Sequence, residues 1–143
     1  MTGLSDTRPL VLVVEDDADL RAYLVHGLRG LARVAEAANG LDALAVLAAE
    51  PVALVVTDLV MPRMDGLALC RAMQADAALA SVPVLLITGE VAPDLPSACG
   101  TLRKPFNARD LQQRVTPYLR GAVRPVSRQA RGDVSPAPSP PNP

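Results

Sequence analysis

Two runs in this chain, Leu10 to Val14 and Val52 to Thr57, are apolar and largely β-branched with no polar alternation. A strand with that pattern is buried on both faces, which points to a parallel sheet covered by helices on each side. Parallel strands cannot be joined by a tight turn. Each pair needs a crossover, and such crossovers are right-handed. The intervening segments supply them. Asp17, Ala18 and Asp19 place acids at a helix start, where the macrodipole favours them, and Leu20, Tyr23, Leu24, Leu28 and Leu31 follow at helical spacing towards Gly30. Arg33 to Ala37 is a weaker strand. The turn signal Asn39-Gly40 precedes a helix over Leu41 to Ala49, with Leu44, Leu47 and Ala48 inward, and Pro51 ends it. Gly66 to Ala75 reads as a third helix with Leu67, Cys70 and Met73 facing in. Pro83 opens a fourth strand, where a missing ladder donor is tolerated. Thr101 to Arg103 is a short fifth strand, and Asn107 suits the N-cap of a last helix from Ala108 to about Leu119. The order predicts an α/β, doubly wound domain with a five-stranded parallel sheet from about Pro9 to Arg120.

At 143 residues and 50% apolar the chain suits one domain with an ample core. Phe106, Tyr23 and Tyr118 are its whole aromatic set, which argues against base-stacking nucleic-acid modules. A net charge of −1 gives no bulk pull towards nucleic acid or membrane. No apolar run approaches the roughly 18 to 20 residues of a bilayer span. Met1 to Arg8 lacks the pattern of a signal peptide, so the expected compartment is the cytoplasm. In that compartment Cys70 and Cys99 read as reduced, buried thiols without metal-like spacing. From residue 121 onwards Pro, Ser, Ala and Arg predominate without an apolar period, the composition of a disordered tail. Its arginines, Arg124, Arg128 and Arg131 with Arg120 before them, read as solubilising.

The chemistry sits at the strand ends. Glu15-Asp16 follows the first strand, Asp58 the third, Thr88 the fourth and Lys104-Pro105 the fifth. In an open α/β sheet the carboxyl ends of the strands line one crevice. Three carboxylates gathered there repel one another, by about 4 kcal/mol for two charges at about 4 Å and an effective dielectric near 20. A cation relieves that. One or two carboxylates, water and phosphate oxygens are the ligands Mg²⁺ accepts. Lysine offers a mobile positive charge and threonine a donating hydroxyl for a phosphoryl oxygen. With a carboxylate as the nucleophile, the covalent product would be an aspartyl phosphate.

Val13-Val14-Glu15-Asp16-Asp17, Thr57-Asp58-Leu59-Val60-Met61-Pro62-Arg63-Met64-Asp65-Gly66, Ile87-Thr88-Gly89 and Lys104-Pro105-Phe106, in that order, closely resemble the response-regulator receiver domain of two-component signalling. The resemblance implies a flavodoxin-like fold and a phosphoacceptor role for Asp58. It implies that Glu15 and Asp16 hold Mg²⁺ together with Asp58 and the carbonyl of Val60, that Thr88 binds the phosphoryl group, and that Lys104 pairs with one of its oxygens. It also implies a cis Lys104-Pro105 peptide and room for the phosphodonor beside Gly89. Val60 and Glu90 stand where receivers tune phosphoryl lifetime, and an apolar Val60 orients no water, so slow self-dephosphorylation is expected. The implied partners are a histidine kinase or a histidine phosphotransfer protein and a downstream protein target.

Two departures qualify the resemblance. Receivers carry Tyr or Phe three residues before the lysine as a rotamer switch, and here that position is Thr101. The stretch from Thr88 to Lys104 is also about six residues short, over one and a half helical turns, and contains Pro93 and Pro96. The helix between the fourth and fifth strands is therefore expected to be short or absent, which alters the output face and leaves a monomer or weak dimer. Two other function classes compete. One is a receiver-like scaffold that works without phosphorylation. The other is an aspartyl-nucleophile hydrolase of the haloacid-dehalogenase type, which needs a second acid two residues after the nucleophile, where this chain has Val60. Asp65 reads as a helix cap and His26 as a surface histidine.

Overall fold

The computed structural model describes residues 7–89 and 99–122. The elements run β1 (Leu10–Val14), α1 (Ala18–Leu28), β2 (Arg33–Ala37), α2 (Gly40–Ala49), β3 (Leu54–Asp58), α3 (Gly66–Gln74), β4 (Val84–Thr88), β5 (Cys99–Arg103) and α4 (Ala108–Ala122). All five strands are parallel, in the order β2-β1-β3-β4-β5. The order reverses at β1, so β1 and β3 are central neighbours and the ends of those two strands form the switch-point crevice.

Strand pleating divides the core in two. Leu10, Leu12, Val14, Val55, Val84 and Leu86 point to one face, where Ala43 and Leu47 of α2 and Leu69 and Met73 of α3 cover them. Val11, Val13, Leu54, Val56, Leu85 and Ile87 point to the other, beneath Leu24, Val25 and Leu28 of α1 and Leu111, Val115 and Leu119 of α4. Every residue of β1, β3 and β4 is buried, which explains why their sequences do not alternate. The helix starts form as their side chains dictate. The Asp17 carboxylate accepts from the backbone of Asp19 and Leu20, Asp65 from Ala68, and Asn107 exchanges bonds with Asp110 in a reciprocal cap.

The structure corrects several sequence expectations. Cys70 and Cys99 are joined in a disulfide across 29 residues, not held as separate thiols. Packing α3 over the sheet brings a buried helix residue next to the first residue of β5, and no local sequence signal reports that proximity. On α3 it is Leu69 rather than Leu67 that is buried with Cys70 and Met73; on α2 it is Ala43, while Ala48 is exposed. β5 begins two residues before Thr101, and α4 continues past Leu119. The expected loss of a helix between β4 and β5 falls on residues 90–98, outside the described residues; the tail expected from residue 121 starts later, since α4 still holds residues 121 and 122, and its remainder, 123–143, lies outside them too.

Candidate metal and phosphoryl site

Register sets the spacing of the site. Val14 pairs with Thr57, so the residues that follow each, Glu15 just past β1 and Asp58 as the last residue of β3, sit side by side at the carboxyl ends of the central strands. Asp58 in turn pairs with Ile87, and Thr88 with Arg103, which places Thr88 and Lys104 one step further along the same edge. The Lys104 amide donates to the Thr88 carbonyl at 2.8 Å and continues that ladder into the loop. The Lys104-Pro105 peptide is cis, as the resemblance implied.

Glu15, Asp16 and Asp58 each offer a carboxylate oxygen, and these oxygens all lie within 4.8 Å of one another. Lys104 Nζ approaches Asp58 Oδ2 at 3.5 Å. Asp58 and Thr88 are buried and Asp16 is exposed. Glu15 is 1% exposed. One of its oxygens, Oε2, accepts from the Asp17 amide at 3.1 Å. The other, Oε1, is buried without a hydrogen-bond partner among the described residues. Burial pushes the Glu15 carboxyl up to about 7, the nearby charge of Asp58 adds to that, and the Asp17 amide opposes it. A buried oxygen without a donor, facing two further carboxylates, is a donor set that fits a small hard cation such as Mg²⁺.

The loop from β3 to α3 holds Asp58 from behind. The Gly66 amide donates to the Leu59 carbonyl at 2.9 Å. A Cβ on Gly66 would run into the backbone carbonyl of Asp58 and come within 2.9 Å of Leu86 Cδ2. Gly66→Ala is therefore expected to cost about 2 kcal/mol in urea unfolding, because the Asp58 backbone must move. In the same loop Arg63 has φ 69°, and the Met64 amide donates back to Pro62 at 2.8 Å. Backbone strain of this kind concentrates at functional loops. Val60 stands 73% exposed at the mouth of the crevice, its amide 3.4 Å from Asp58 Oδ1.

The structure thus gathers Glu15, Asp16, Asp58 and Lys104, with Val60 and Thr88 at adjoining positions. His26 is exposed and Asp65 is the cap of α3. Sequence reasoning missed Arg21, whose Nη1 donates to the Glu15 carbonyl at 2.7 Å and whose Nε donates to Glu36 at 3.1 Å. Its partners lie 6 and 15 residues away and follow no helical or strand spacing.

Residues 11–116 match the family described as the response regulator receiver domain. The chain is 38% identical over 117 residues to the response regulator receiver protein CpdR of Brucella abortus (strain 2308), covering 76% of this chain and 95% of that protein. It is 32% identical over 126 residues to the probable transcriptional regulator ycf27 of Pyropia yezoensis, covering 83% of this chain and 51% of that one, about half its length. The fold superimposes on the chemotaxis response regulator CheY4 of Vibrio cholerae with a TM-score of 0.71 and 28% identity, over 78% of this chain and 99% of that one.

Proposed function

Because the chain belongs to the response-regulator receiver family of two-component signalling, we propose that it accepts a phosphoryl group on Asp58 and signals by binding a protein target. Receiver domains are generally signalling modules rather than enzymes, and they interact with histidine kinases and phosphotransfer partners. The supporting observation is the convergence of three strand-end carboxylates within 4.8 Å, one with a buried unpartnered oxygen, beside a lysine ammonium.

In the transfer, an Asp58 oxygen attacks the phosphorus of a phosphohistidine on the donor. The P–N bond breaks, the imidazole leaves with that electron pair, and an acyl phosphate forms. Glu15, Asp16, Asp58 and the Val60 carbonyl would hold Mg²⁺. The bound ion supplies the positive charge that lets acids and phosphoryl oxygens share the crevice. Lys104 neutralises a phosphoryl oxygen, and Thr88 donates its hydroxyl to another. Val60 presents no group that could position a water, so the acyl phosphate is long-lived. No described helix is long and apolar enough to cross a membrane, and the proposed site of action is the cytoplasm.

A phosphorylation-independent scaffold is the second reading, favoured by the half-buried Thr101 of β5, where receivers carry an aromatic switch. Acetyl phosphate with Mg²⁺ separates the two. Phosphoacceptor function requires one added phosphoryl group by intact mass, on a peptide containing Asp58, and its suppression by EDTA. An unmodified chain, or the group on another peptide, would favour the scaffold.

A further inference from the structure

The Glu15 peptide is held at both ends. Its N–H donates to the Ala37 carbonyl of β2 at 3.0 Å, and its carbonyl accepts from Arg21 Nη1 at 2.7 Å. Arg21 is itself anchored, with Nε on the Glu36 carboxylate at 3.1 Å and its side chain only 22% exposed. The carbonyl of Glu15 lies in the peptide plane that joins Glu15 to Asp16. Fixing that oxygen fixes the backbone rotation on either side and so the directions in which both acids project. Without it, three mutually repelling carboxylates within 4.8 Å would relax by turning this peptide, since it is the first beyond the β1 ladder.

We propose that Arg21 is a positioning residue: through the Glu15 carbonyl it preorganises the Glu15-Asp16 pair for a divalent cation, with Glu36 holding the guanidinium in place. The inference rests on the cation reading given above. Arginine suits the role because two edges of one rigid planar group reach two acceptors in fixed directions, whereas a lysine ammonium is a flexible point charge. Groups that orient a metal's ligands without touching it commonly change metal affinity by about 10- to 100-fold when removed.

The test is calorimetric titration of the 143-residue chain with Mg²⁺, paired with amide hydrogen exchange in EDTA. Arg21→Ala is expected to weaken Mg²⁺ binding about 10-fold while phosphorylation by acetyl phosphate returns to the wild-type rate at saturating Mg²⁺. In EDTA the Asp17 amide, which donates to Glu15 Oε2, should exchange faster. Arg21→Lys should recover part of the affinity. Glu36→Ala should weaken binding less and add nothing to Arg21→Ala, and it serves also if Arg21→Ala fails to fold. Wild-type Mg²⁺ affinity in Arg21→Ala or, should that variant fail to fold, in Glu36→Ala, beside normal phosphorylation, overturns this inference alone. A wild-type chain that takes up no Mg²⁺ overturns it together with the cation reading.

Discussion

Asp58→Asn is expected to accept no phosphoryl group and, in the absence of metal, to be more stable than the wild type by about 1 kcal/mol. The first part follows from chemistry: a carboxamide keeps the shape of the side chain but is no nucleophile towards phosphorus. The second follows from the crowding. Asp58 places a negative charge beside a Glu15 that burial already disfavours in its ionised form. Removing that charge relieves repulsion in the folded state only. The opposing loss is the Lys104 contact at 3.5 Å, with side chains 37% and 12% exposed; a partly solvated pair of that kind contributes less than about 1 kcal/mol. Intact mass after acetyl phosphate treatment and urea unfolding in EDTA at pH 8 read the two effects. A labelled Asp58→Asn chain would move the acceptor elsewhere, and a destabilised one would show that the lysine contact outweighs the repulsion.

The second large effect is the contribution of Glu15 to the pH dependence of metal-free stability. In the unfolded chain Glu15 loses its proton near the ordinary value of 4.5, whereas the fold retains it to about 7. Between those values the native state binds more protons than the unfolded one, so stability falls as pH rises. The Glu15 contribution is intact below 4.5, declines through the interval and is fully lost above 7. The interval, 7 less 4.5, converts to about 3 kcal/mol at about 1.4 kcal/mol per pH unit. Other groups titrate too, so the measurement is the difference between wild type and Glu15→Gln in urea unfolding with EDTA from about pH 4 to about pH 8. The two curves should diverge by that amount, and saturating Mg²⁺ should remove most of the wild-type slope. Parallel curves would show that water already solvates the Glu15 carboxylate.

What the residues announced, and what they did not, divides by the range of the interactions. β1, β3 and β4 were legible because burial on both faces leaves only apolar residues, and Asp65 and Asn107 because a cap bonds within three residues; Asp17 was legible only as an acid at a helix start. The gathering of the strand-end acids and lysine was legible for a related reason: parallel topology carries every strand end to one edge. Features made by packing were not. Which side of α3 is buried, Leu69 rather than Leu67, depends on how the helix rolls on the sheet. The bond between Cys70 and Cys99 needs α3 and β5 in contact, and the Arg21 bridge to Glu36 needs α1 laid against β2. None of these leaves a periodic trace in the sequence.

The strand order has one more consequence. Both acids that flank Asp58 issue from central β1, which is clamped between β2 and β3, whereas Lys104 follows β5, which among the described residues is paired on one side only. The crevice therefore joins acids from the centre of the sheet to an ammonium from its margin. Under the proposed function the two halves would answer to different neighbours: the acids to β2 and β3, the ammonium to whatever meets the outer margin of β5.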